Sequence, residues 1–93
     1  MIVNFKCKHT AKIWDGDFVK CFPNEIQLIA RRKLRMIEAA HDVNILRVPP
    51  ANRLKKLIGS KSELYSIRIN DQWRICFKWQ NRNAYDVEIV DYH

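Results

Sequence analysis

The stretch Tyr65-Ser66-Ile67-Arg68-Ile69-Asn70-Asp71-Gln72-Trp73-Arg74-Ile75-Cys76-Phe77-Lys78-Trp79 decides the fold of this 93-residue chain. Tyr65, Ile67 and Ile69 alternate with Ser66, Arg68 and Asn70. Trp73, Ile75, Phe77 and Trp79 alternate with Arg74, Cys76 and Lys78. A period of two puts alternate side chains on opposite faces of a strand, so the pattern predicts two half-buried strands. Asn70-Asp71 supplies the turn between them. Downstream, Gln80-Asn81-Arg82-Asn83 is a second turn signal, and Val87 and Ile89 then alternate with Glu88 and Val90. From Leu54 onward the chain reads as an antiparallel meander of three or four strands. One face is apolar and the other, bearing Arg68, Arg74 and Lys78, is expected to face solvent.

The apolar face needs cover, and the upstream half supplies it. Ile26, Ile29, Ala30, Leu34, Ile37 and Ala40 recur at steps of three and four, which predicts a helix from Pro23 to about Asp42. Asn24 reads as its N-cap, with Gln27 in the capping-box position. Arg31, Arg32, Lys33 and Arg35 fall on the intervening faces and read as a solvated surface. Val48-Pro49-Pro50 stops the helical pattern. Before it, Met1 to Phe5 reads as a short strand, and His9-Thr10 caps a short helix through about Phe18. The expected class is α+β: an N-terminal strand and two helices packed on a three- to four-stranded antiparallel sheet, in a single domain spanning residues 1–93.

Charge narrows the partners. Lys and Arg number 17 against 10 Asp and Glu, a formal net charge of +7. Such a surplus on a small surface favours a polyanion: nucleic acid, an acidic protein or an anionic membrane. No run approaches the roughly 18 apolar residues of a membrane span, and Lys6 and Lys8 interrupt any N-terminal apolar stretch. Cys7, Cys21 and Cys76 are odd in number and form no C-x-x-C pair, which reads as reduced, mostly buried thiols. These features predict a soluble, cytoplasmic protein.

The charge is also clustered. Arg53, Lys55, Lys56, Lys61, Arg68, Arg74 and Lys78 lie within 26 positions that hold only Glu63 and Asp71 as acids. Cations gathered on one sheet surface suit a phosphodiester backbone, although sheet faces turned to water also carry Lys and Arg as a matter of course. The chain ends on Val90-Asp91-Tyr92-His93, which delivers a carboxylate, a phenol and an imidazole to the edge of that sheet. Imidazole titrates near neutrality unperturbed and suits proton transfer. His9 and His41 read as surface or capping residues. No His/Cys/carboxylate cluster has metal-ligand spacing and no glycine loop cradles phosphate, so no metal or other cofactor is expected.

Three runs carry a resemblance: Val48-Pro49-Pro50-Ala51-Asn52-Arg53-Leu54, then Tyr65 through Phe77, then Val87-Glu88-Ile89-Val90-Asp91-Tyr92-His93. Together with the N-terminal strand and the long helix they resemble the HigB toxins of the RelE/ParE superfamily across essentially the whole chain. The resemblance implies a compact RelE-like fold and the toxin of a type II toxin–antitoxin pair, an endoribonuclease that cuts mRNA in the A site of the 70S ribosome without a metal and so inhibits translation. It also implies a partner similar to HigA, a helix-turn-helix antitoxin through which operator DNA is reached indirectly, and a bacterial cytoplasmic location. By position it makes Asp91, Tyr92 and His93 the functional tail and Arg74 the phosphate-contacting arginine, with Arg68 a second contact. Arg53, Lys55, Lys56, Lys61 and Lys78 would bind RNA or the ribosome.

The sequence departs from the family in one loop. Members often carry L-x-x-L-K-G-D-R, some with a His near its start. This chain reads Leu54-Lys55-Lys56-Leu57-Ile58-Gly59-Ser60-Lys61, with Lys55 where that His falls and Ile58 in place of the loop lysine. An acid/base pair of two histidines is therefore not expected. Two other readings stay open at this stage: a ParE-like gyrase poison without RNase chemistry, and a non-enzymatic nucleic-acid-binding module using the basic helix.

Overall fold

The computed structural model describes residues 1–57 and 63–91. Over these, two helices, α1 (Lys8–Trp14) and α2 (Asn24–Ala39), precede four strands, β1 (Lys55–Lys56), β2 (Leu64–Arg68), β3 (Trp73–Gln80) and β4 (Asn83–Asp91). The strands form one antiparallel sheet in the order β1-β2-β3-β4. This is the expected α+β meander.

The register follows the alternation. Ile67 faces Ile75, Ile75 faces Ile89, and Trp79 faces Ala84, so one side of the sheet is a continuous apolar surface. Ile26, Ala30, Leu34 and Ile37 of α2 pack with it and are essentially sealed from water, as are Ile67, Ile75, Phe77 and Val87. Each of the Ile, Leu, Val and Phe side chains contributes about 1.5–3 kcal/mol by burial.

The turns obey local chemistry. Asn81 and Arg82 both have positive φ (52° and 66°), the two-residue geometry whose twist matches a hairpin. In the β2–β3 turn, Asn70 Oδ1 accepts from the backbone N–H of Gln72 (2.9 Å) and of Trp73 (2.8 Å), the side-chain mimicry that makes Asn a turn former.

Several local expectations are corrected. Met1 to Phe5 forms no continuous ladder. It touches β4 through two isolated parallel bridges, Ile2 with Ala84 and Phe5 with Val87. The peptide N–H of Ile2 instead donates to Glu38 Oε2 of α2 (2.6 Å). α1 ends at Trp14, short of Phe18, because Gly16 leaves helical space at φ +97°. Thr10 does not cap it: its buried hydroxyl accepts from the N–H of Ile89 (3.0 Å).

Asn24 is the first residue of α2 and caps nothing, and Pro23 precedes it as the N-cap. Gln27 clamps the preceding loop, accepting from Val19 N and donating to the carbonyls of Val19 and Phe22. α2 stops at Ala39, and a 3-10 turn, Val43–Arg47, follows. Of the three cysteines only Cys76 is buried, while Cys21 is exposed and Cys7 intermediate. Among the described residues, no helix is long and apolar enough to cross a membrane.

Candidate active site

Arg68 and Arg74 stand directly opposite one another across β2 and β3. Like charges in that relation repel, so their retention requires local compensation. Arg68 is ion-paired with Asp71 of the turn. Arg74 lies along the sheet, its Nε donating to Ser66 Oγ (2.9 Å) and its Nη2 to the carbonyl of Arg53 (2.8 Å). The guanidinium is thus fixed in orientation by two oxygens on different elements, as a planar fork allows and an ammonium does not.

The Arg53 carbonyl is available because of its backbone. A second 3-10 turn, Pro50–Asn52, ends with Arg53 in the left-handed region (φ 45°, ψ 55°). A residue other than Gly, Asn or Asp rarely adopts that conformation, and strained backbone of this kind clusters at functional sites. The turn and β1 then lie against β2. The outer face of the sheet is therefore not the open solvent face expected from alternation. Ser66 and Cys76 are buried within it, and Arg68 and Arg74 are half-buried.

Arg53, Leu54, Lys55, Arg68, Asn70, Asp71 and Arg74 enclose an open cleft of about 520 Å³. Four cations and one carboxylate line it, and that carboxylate is already bound to Arg68. A wall of this composition attracts a phosphodiester and places a fixed guanidinium against it. No group of three His, Cys, Asp or Glu among the described residues is arranged to hold a metal ion.

The structure brings together Arg53, Lys55, Arg68 and Arg74 of the residues singled out by sequence. It separates two others from them. Lys56 pairs in register with Tyr65, on the opposite side of the strand from Lys55, with its Nζ 6.0 Å from the Tyr65 ring centre. Lys78 lies on the face of Arg74 but four residues along, about 13 Å at strand spacing, and is ion-paired with Asp86 (3.3 Å).

Asp91 faces Trp73 in register, whereas Arg74 faces Val90, so alternation turns Asp91 from the arginine face. Its carboxylate accepts from Gln72 Nε2 (3.0 Å). Lys61, Tyr92 and His93 lie outside the described residues. His9, expected at the surface or as a cap, is half-buried within α1, edge-on to Phe22, with a buried Nδ1.

Sequence reasoning missed Ser66, Asn70 and Asp71, which shape the cleft, and two residues behind it. Asn52 is fully buried, and Lys33, assigned to a solvated face, is only 5% exposed. The signal for Lys33 was present. It stands three residues after Ala30 and four before Ile37, squarely in the apolar stripe of α2.

Comparison with known proteins agrees with this architecture. The family described as the RelE-like toxin of the type II toxin–antitoxin system HigB matches residues 3–93. A protein of Haemophilus influenzae described as uncharacterized is 41% identical over 69 residues, covering 74% of this chain and 68% of that protein. Toxin HigB-1 of Vibrio cholerae is 35% identical over 80 residues, covering 85% of this chain and 84% of the toxin. A match over nearly the whole chain, on a fold that gathers Arg53, Lys55, Arg68 and Arg74 in one cleft, places this protein in the HigB-like family of RelE-like toxins from type II toxin–antitoxin systems.

Proposed function

We propose that the protein is a ribosome-dependent mRNA endoribonuclease that needs no metal, and that a HigA-like helix-turn-helix antitoxin neutralises it. The observation that carries the reading is the cleft in which Arg74, locked by Ser66 and the Arg53 carbonyl, faces the same space as Arg53, Lys55 and Arg68. Family membership supports the toxin role and an antitoxin partner.

Metal-free cleavage requires three events. The 2′-hydroxyl loses a proton and its oxygen attacks the adjacent phosphorus. The phosphorane's charge is stabilised. The bond to the 5′-oxygen breaks as that oxygen gains a proton, leaving a 2′,3′-cyclic phosphate and a 5′-hydroxyl. Arg74 and Arg68 take the charge, and Arg53 and Lys55 hold the flanking backbone. His93 transfers protons, with Asp91 orienting it and Tyr92 stacking on a base or holding the phosphate. In support, Val90 is the cross-strand partner of Arg74, so the terminal Asp91-Tyr92-His93 follows directly on the residue beside it. The ribosome supplies in-line geometry by holding mRNA in the A site. Lys56, Lys61 and Lys78 are assigned to peripheral contacts with ribosomal RNA.

The test is toe-print mapping on translated mRNA with purified ribosomes. Wild-type protein is expected to produce cuts within the message, and deletion of His93 to abolish them while growth inhibition is lost in cells. Persistence of cutting without His93 overturns the assignment of the tail. Arrest accompanied by DNA breaks and intact mRNA overturns the RNase reading in favour of a gyrase poison.

A further inference from the structure

Behind the cleft lies a buried polar contact that the proposed chemistry does not use. Lys33 projects from α2 at a stripe position, and its Nζ donates to Asn52 Oδ1 (2.6 Å). Asn52 Nδ2 donates in turn to the carbonyls of Leu46 (3.2 Å) and Val48 (3.5 Å). The main-chain N–H of Asn52 bonds the Pro49 carbonyl, and that of Arg53 the Pro50 carbonyl. Every end of the Asn52 side chain is therefore engaged. Its oxygen is tied to the helix, and its amide nitrogen to the chain entering the turn. The next residue, Arg53, is the one whose carbonyl fixes Arg74.

We propose that Lys33 and Asn52 are the positioning pair of the cleft, anchoring the 50–53 turn to α2 so that the Arg53 carbonyl holds the Arg74 guanidinium in its working orientation. Burying an ammonium is costly, and an apolar side chain at a stripe position is often the more stable choice. Burial, together with the nearby positive charges of Arg32 and Arg68, lowers the pKa of Lys33 from its ordinary value. A group kept at that cost supplies something packing does not. That something is a directional link between the helix and one carbonyl oxygen. Leu46 and Val48 belong to the same connection between α2 and β1 as the turn itself, so the Lys33 contact is the part of the Asn52 network that reaches the long helix.

The experiment reads Arg74 directly, in nitrogen-isotope-labelled protein by NMR. In the wild type, the Lys33 ammonium and the Arg74 Nε–H are expected to exchange slowly with water. Lys33→Met keeps the stem and removes the donor. With the fold retained, judged by the Ile37 and Phe77 resonances, Arg74 Nε–H exchange is expected to rise about tenfold as the guanidinium loosens. Asn52→Asp keeps the acceptor for Lys33 but sets its second oxygen against the Leu46 and Val48 carbonyls, and is expected to raise the exchange as well.

The consequence for catalysis rests on the RNase reading. On translating ribosomes, Lys33→Met is expected to lower kcat by about tenfold to a hundredfold with KM within about twofold, the signature of a misplaced transition-state contact. Unchanged Arg74 exchange in folded Lys33→Met overturns the proposal. So does a wild-type Lys33 ammonium that exchanges like a surface lysine, a result that requires no variant to fold. If wild-type protein cuts no mRNA, the RNase reading fails, and the exchange measurements still decide the positioning role.

Discussion

Arg74 and Lys78 stand four residues apart on the same strand and the same face, yet they are held in different ways. Arg74 is half-buried, and Ser66 Oγ and the Arg53 carbonyl orient it from two sides. Lys78 is exposed and meets the half-exposed Asp86 carboxylate, which also accepts from Asn4 Nδ2 while the Asp86 main-chain N–H donates to Asn4 Oδ1. The first arrangement fixes direction. The second is a surface ion pair, worth little and screened by salt. A basic residue on a sheet thus becomes a candidate for chemistry through the rigidity of what surrounds it, and charge alone does not separate the two ends of this strand.

The largest effect that would break this comparison is on cleavage. Arg74→Ala is expected to lower the cutting rate on translating ribosomes by about a hundredfold or more, the range for loss of one preorganised donor to a developing oxyanion. Arg74→Lys keeps the charge and loses the fork, so it is expected to recover little of that rate. Lys78→Ala should change the rate by less than about threefold, as for a rim charge. Equal losses for Arg74→Ala and Lys78→Ala would remove the distinction.

A smaller effect appears in acid. The Asn4 side-chain hydrogen bond, and then that from Lys78, hold the Asp86 carboxyl below its ordinary value of 3.8. A depressed carboxylate contributes stability that is present above its unfolded value and is lost as pH falls through the folded one. Asp86→Asn should therefore lower stability in the neutral region, converge on the wild type once the carboxyl is protonated, and so flatten the acid limb below about pH 4, measured by urea unfolding. An acid limb identical to wild type would show that Asp86 is not depressed.

The smallest expected difference is chemical. Cys76 lies between Arg74 and Lys78, buried, and burial followed by the Glu88 charge pushes its thiol pKa up. At mildly alkaline pH an alkylating reagent should therefore modify the exposed Cys21 well before Cys76. Equal rates in native protein would mean that the face between the two cations opens readily.

Much of this architecture was legible because it rests on periodicity. The alternation from Tyr65 to Trp79 set the hairpin, its register and the shared face of Arg68 and Arg74. The three-and-four spacing from Ile26 to Ile37 set α2. What was not legible depends on contacts between elements. Asn24 and Gln27 have the sequence of a capping box, yet the loop from Val19 to Phe22 offers Gln27 better partners. Met1 to Phe5 alternates like a strand, but its backbone finds partners in Glu38 and, on either side of the irregular step of β4, in Ala84 and Val87. Lys33 was placed outside because lysine is rarely buried, although its position in the stripe pointed inward. The polar face could not be known to be half-covered until the Pro50–Asn52 turn was seen against β2.

The left-handed Arg53 has a consequence for what the chain can tolerate. The contact that fixes Arg74 is made by a main-chain oxygen, which every amino acid carries. Position 53 is thereby divided between two masters: its backbone answers to shape and its side chain to the ligand. Gly or Asn there would keep the bend without strain, whereas Val, Ile or Pro would unseat the oxygen and with it the arginine. The side chain can diversify to suit different polyanionic ligands while the scaffold beneath stays constant. A toxin built this way has a point at which recognition can drift without the setting of its Arg74 guanidinium drifting too.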